Sequence, residues 1–199
     1  MKNHSYNPCV TEPIRSFDGA LYGVCCLTPF MQQHQESDTT LNLHQLVSGD
    51  NQLINETTLI IIALQEAELQ QLIMAPERYS YLQGVSVRLA INYALLQANF
   101  PALQDLTSKF RFWLYDFAPP GANWSVIEAF PFCGIAFNEN FFNDNYQKFS
   151  FPYFLESLHE KKADLILRTA IPQLPAEHYA ALYINGWQQQ RNNHPLFAM

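Results

Sequence analysis

The chain has 199 residues, 48% of them apolar and 14% aromatic but only 15% charged, with a formal net charge of −7. That balance excludes a disordered chain, and the shortage of Lys and Arg excludes the concentrated basic face that nucleic acid or an anionic membrane requires. No run approaches the roughly 20 apolar residues of a membrane span and no leader pattern is visible, so a cytoplasmic protein without membrane insertion is expected.

In chain order, residues 1–13 read as an irregular N-terminal arm, since Asn3, Asn7, Pro8 and Pro13 disfavour regular structure. Ile14–Phe17 and Ala20–Leu27 flank Asp18-Gly19, a short-range hairpin signal. Gln32–Thr40 is polar and loop-like, Leu41–Val47 is a short strand or helical turn, and Ser48-Gly49-Asp50-Asn51 carries turn chemistry. Asn55 suits a helix N-cap, and Leu59, Ile62, Ala63, Leu69, Leu72 and Ile73 keep helical spacing. The β-branched run Thr57–Ile62 competes as a strand.

Pro76 suits the first turn of a second helix, with Tyr79, Leu82, Leu89, Tyr93 and Leu96 on one face and Asn99 as its stop. The spacing of Leu103, Leu106, Phe110, Trp113 and Phe117 predicts a third helix, ending before Pro119-Pro120-Gly121. Trp124, Val126, Glu128 and Phe130 alternate as in a strand, and Phe132–Phe137 reads as another. Asn138–Asn145 is Asn-rich and loop-like, Pro152–Lys162 reads as a helix, and Asp164–Ile171 as strand or helix. Pro175 opens a final helix. The fold class expected from this pattern is α+β: a helix-rich single domain over residues 14–187 with a small, mostly antiparallel sheet, followed by a polar tail over 188–199.

Cys9, Cys25, Cys26 and Cys133 lack CxxC spacing, and the six histidines form no HxH, HxxH or HExxH pair, so free thiols and no metal or other cofactor are expected. Phosphate-binding glycine loops are absent, which argues against nucleotide chemistry through familiar loops. Sixteen of the 28 aromatic residues fall between Phe110 and Phe154. Phe141, Phe142, Phe149 and Phe151 sit in a polar context and, with Trp124, are the candidates for a partner-binding surface.

The leading functional expectation is a non-enzymatic, acidic adaptor or chaperone-like subunit of a larger bacterial, secretion-type assembly. It would bind protein partners through an apolar aromatic groove, in a hetero-complex rather than an obligate homo-oligomer. The alternatives are an enzyme with a dispersed site drawn from Cys133, His159, His178 and Asp116, or an acidic inhibitor of another protein. Glu128, alternating with large apolar side chains, carries little claim to an acid role.

Overall fold

The computed structural model describes residues 11–27, 58–117 and 119–190. Eight strands close into a barrel in sequence order: β1 (Thr11–Arg15), β2 (Leu21–Cys26), β3 (Leu59–Ala63), β4 (Val87–Asn92), β5 (Phe112–Tyr115), β6 (Gly134–Asn138), β7 (Asp164–Thr169) and β8 (Gly186–Gln189). Neighbours from β2 to β8 pair in parallel, whereas β1 is antiparallel to both β2 and β8. The hairpin expected around Asp18-Gly19 is present, with Gly19 in the left-handed region at φ 91°.

Helices cover the outside: α1 (Glu66–Met74), α2 (Tyr93–Leu106), α3 (Trp124–Ala129), α4 (Glu139–Asn145), α5 (Phe151–Glu160) and α6 (Ala176–Ala181), with a 3-10 segment at Pro76–Gln83. The expected helix-rich α+β domain with a small antiparallel sheet is therefore replaced by a closed, mostly parallel barrel. The reason lies in burial on both faces. Strands such as Leu-Ile-Ile-Ile-Ala at β3 and Phe-Trp-Leu-Tyr at β5 are buried at nearly every position. They face the barrel interior on one side and the helices on the other, so no polar–apolar alternation marks them.

Several expectations change accordingly. The spacing over Leu103–Phe117 spans the end of α2 at Leu106 and then β5, so its helical period is an accident of two different elements. The helix expected from Pro76 is divided among the 3-10 segment, β4 and α2. Asn99 does not end α2 but marks a kink in it, two residues before the internal Pro101. Trp124–Ala129 is a helix instead of an alternating strand, and Glu139–Asn145 is a helix instead of a loop. The ambiguous Thr57–Ile62 region becomes β3, starting at Leu59, followed by α1. The segments expected at 32–40, 41–47 and 48–51, together with the Asn55 cap, lie outside the described residues.

Alternation of side chains across each strand fixes what points inward. Registered pairs carry one inner row around the barrel: Glu12 opposite Cys25, Ile61 opposite Arg88, Ala90 opposite Trp113, and Asn92 opposite Tyr115. The row continues through Trp113 opposite Gly134, Asn138 opposite Arg168, and Arg168 opposite Gln188. Trp113 is the largest fully buried side chain, and its indole crosses the floor of β6 at Gly134. A Cβ at Gly134 would collide with that ring, so glycine here serves a close approach of side chain to backbone.

Candidate active site

In βα barrels the functional face is the rim at the carboxyl ends of the parallel strands. On that rim Asn92 ends β4 and Asn138 ends β6, both on the inner row. Each also caps the helix that follows. The Asn92 side-chain oxygen accepts from the Leu95 N–H at 2.9 Å, and the Asn138 oxygen accepts from the Phe141 N–H at 2.7 Å. The oxygen of each amide is thus committed to a helix, and the cap fixes the orientation of the remaining NH2 group.

Just inside the rim lies a buried polar network. Arg168 donates through Nε to Glu12 Oε2 at 3.0 Å and through Nη2 to Glu12 Oε1 at 2.9 Å. Gln188 Nε2 donates to Glu12 Oε2 at 2.6 Å, and the Tyr115 hydroxyl donates to Gln188 Oε1 at 2.5 Å. Glu12 and Gln188 are wholly buried and Arg168 nearly so. Two-pronged guanidinium–carboxylate geometry is the form in which a buried ion pair best recovers the cost of leaving water. Burial raises the Tyr115 hydroxyl well above its usual pKa and pushes the neighbouring Cys25 thiol up to about 12. Both groups are neutral at physiological pH. A neutral thiol is a poor nucleophile, and Cys25 and Cys26 are both fully buried, so both should resist aromatic disulfide reagents in the native protein and react only on unfolding. Peptide mapping after labelling with and without denaturant checks this.

Asp116 follows β5 directly and has φ 49°. Burial raises its carboxyl above the ordinary value, and the Arg168 guanidinium opposes that shift. The folded protein therefore holds this proton to a higher pH than the unfolded chain. Its contribution to stability is greatest below the ordinary carboxylate range and declines as pH rises through the folded value. Asp116→Asn should flatten that decline in denaturant melts collected across the weakly acid range, and should keep the left-handed backbone that Asn tolerates.

The candidates from the dispersed-site reading are not brought together. Cys133 precedes β6 at the opposite, amino-end opening, where its Sγ donates to the Phe112 carbonyl at 3.2 Å and burial raises its pKa. His159 is exposed near the end of α5 and stacks on Tyr183 at 4.6 Å, and His178 is exposed on α6. Glu128 is an exposed partner of Lys161 at 3.4 Å. Only Asp116 lies near the rim network. His4, His34, His44, His194 and Cys9 fall outside the described residues.

The aromatic candidates distribute unevenly. Phe142 and Phe151 are buried in the core, and Phe141 is half-buried. Phe117 contacts Phe137, Phe141, Phe154 and Trp124 with ring centroids 5.3–5.7 Å apart. That cluster seals α3, α4 and α5 onto the outer face of β6. Trp124 sits at its edge, 37% exposed, while Phe149 is 86% exposed and touches Tyr153.

The rim network escaped the sequence reading, although one signal pointed to it. Arg168 interrupts the apolar run Leu165-Ile166-Leu167, and a charge inside a doubly buried strand demands a partner.

No family model matches the chain, and no curated protein does. Solved structures do. A complex of the MucR phosphodiesterase with c-di-GMP aligns with TM-score 0.65 at 13% identity, covering 92% of this chain and 88% of that one. The EAL domain of FimX from Pseudomonas aeruginosa, bound to c-di-GMP, aligns with TM-score 0.62 at 15% identity over 91% and 87%. Klebsiella pneumoniae BlrP1 with manganese and c-di-GMP aligns with TM-score 0.62 at 11% identity, over 94% of this chain but 56% of that one. These likenesses replace the expected non-enzymatic adaptor or chaperone-like role. The aromatic cluster is largely the seam between helices and barrel, and the architecture is one that a phosphodiesterase uses. Among the described residues no helix is long and apolar enough to cross a membrane. The barrel of this chain, in which one antiparallel strand closes seven parallel ones, is similar in fold to the EAL-domain structures.

Proposed function

We propose that this chain is a phosphodiesterase-type domain that takes a cyclic dinucleotide, c-di-GMP or a close relative, at the carboxyl-end rim of its barrel. The supporting observation is the rim itself. The inward Asn92 and Asn138 amides share the rim, Asn138 lying opposite the guanidinium-bearing Arg168, within a fold whose solved neighbours include c-di-GMP complexes. Neutral amide donors are suitable contacts for the oxygens of a phosphodiester, and the buried Arg168–Glu12 pair stands just inside them. Such contacts require none of the glycine loops that the sequence lacks. The overall negative charge is no obstacle, because recognition depends on the local donors at the rim.

Calorimetric titration with c-di-GMP, paired with chromatographic detection of the linear dinucleotide, tests the reading. Saturable binding with ring opening supports both ligand and activity. Binding without ring opening keeps the ligand and removes the activity, and no binding overturns the proposal. Asn138→Asp is the informative variant. Aspartate caps a helix as well as asparagine does, so the fold should hold. The substitution also exchanges a donor for a negative charge facing the phosphodiester. Affinity should fall about tenfold or more, the equivalent of roughly 1.4 kcal/mol.

A further inference from the structure

The neighbours solved with c-di-GMP include one holding manganese and one holding calcium. Such hard cations need several oxygen ligands, with carboxylates prominent among them. The described residues contain no group of three His, Cys, Asp or Glu side chains able to hold a metal ion. The innermost carboxylate on the rim side is Glu12, and both of its oxygens are already engaged. Oε1 accepts from Arg168 at 2.9 Å, and Oε2 accepts from Arg168 at 3.0 Å and from Gln188 at 2.6 Å. Asp116, another acid on this rim, feels the charge of the same guanidinium. The donor set among the described residues therefore does not fit a divalent cation, and a cation brought to Glu12 would have to displace or oppose a buried positive charge.

We infer that the Arg168–Glu12 pair leaves this rim no innermost carboxylate for a metal ion, so that the rim binds its ligand without calcium or manganese. The inference deepens the ligand reading above and rests on it for what is bound, but its first test does not. Arginine is suited to holding that carboxylate: it keeps its charge at any physiological pH, and its planar fork locks onto a carboxylate in two bonds. A metal would leave with chelation, whereas this ion pair is part of the chain.

Titration of the full-length protein with manganese alone, and then calcium alone, should give no saturable site that depends on Glu12. A site near one equivalent that Glu12→Gln abolishes would overturn the inference, whether or not c-di-GMP binds. Arg168→Met uncovers Glu12 and Asp116 together and should gain manganese binding, read as a melting temperature that rises with millimolar manganese where the wild type stays flat. If that variant fails to fold, Arg168→Lys keeps one positive charge and should stay manganese-insensitive. A manganese-dependent rise in its melting temperature would count against the inference. With c-di-GMP, the wild-type affinity should agree within about twofold in chelator and in manganese, a difference of roughly 0.4 kcal/mol. An affinity that chelator lowers more than tenfold would overturn it. Absence of c-di-GMP binding in both conditions would sink the ligand reading and leave the metal titration to decide this one.

Discussion

Glu12→Ala is expected to destabilise the barrel by about 3–5 kcal/mol, because it strips the carboxylate from a guanidinium that is itself buried. The pair is inaccessible on the Glu12 side and only 8% exposed on the Arg168 side, so water cannot take over the lost bonds. Gln188 would lose its acceptor at the same time, which spreads the damage to the Tyr115 hydroxyl behind it. Replacing both ions, as in Glu12→Leu with Arg168→Met, should recover most of the loss, since two apolar side chains of similar volume need no counter-charge. Urea unfolding of the single and double variants checks this. A loss below about 1 kcal/mol for Glu12→Ala, the worth of an exposed pair, would mean that the guanidinium finds water.

Trp113→Ala should cost a similar amount, about 3–5 kcal/mol, through the cavity left in the middle of the barrel. The sharper result is its coupling to Gly134. Alone, Gly134→Ala forces a Cβ into the indole and should destabilise by about 1–3 kcal/mol. In the Trp113→Ala background the same methyl enters vacated space and should be neutral or stabilising. The double-mutant cycle would then give an interaction energy of order 1–3 kcal/mol, against the few tenths expected of independent sites. Trp113 Nε1 is buried without a hydrogen-bond partner among the described residues, so Trp113→Phe should be far milder than Trp113→Ala.

How much of this could be read from the chain depends on where each residue's neighbours come from. The Asp18-Gly19 hairpin was legible because both strands and the turn lie within a few residues of one another. The helix at Phe151–Glu160 was legible for the same reason, its apolar face repeating locally. The barrel was not. A parallel strand is recognised by a partner many residues away, and β4 and β5 are buried at nearly every position, leaving no period that distinguishes strand from helix. The rim network is the extreme case: Glu12 and Arg168 are 156 residues apart. Composition described the aromatic wealth correctly but not its use, because rings that seal helices onto a barrel and rings that await a partner have the same spacing. Phe142 and Phe149, seven positions apart, fall on opposite sides of that distinction.

The reversed direction of β1 has a practical consequence for handling the molecule. Because β1 runs against the other strands, Thr11 lies beside Cys26 at the carboxyl-end rim, and β8 also finishes there, at Gln189. The described chain therefore enters and leaves the barrel through the same doorway that a ligand would use. A purification handle or fluorescent fusion joined directly at Thr11 or Gln190 would stand at that doorway. Binding measured on such a fusion should be repeated after the handle is cleaved. By the same geometry, a reporter dye placed near Thr11 or Gln190 would be well sited to sense occupancy of the rim.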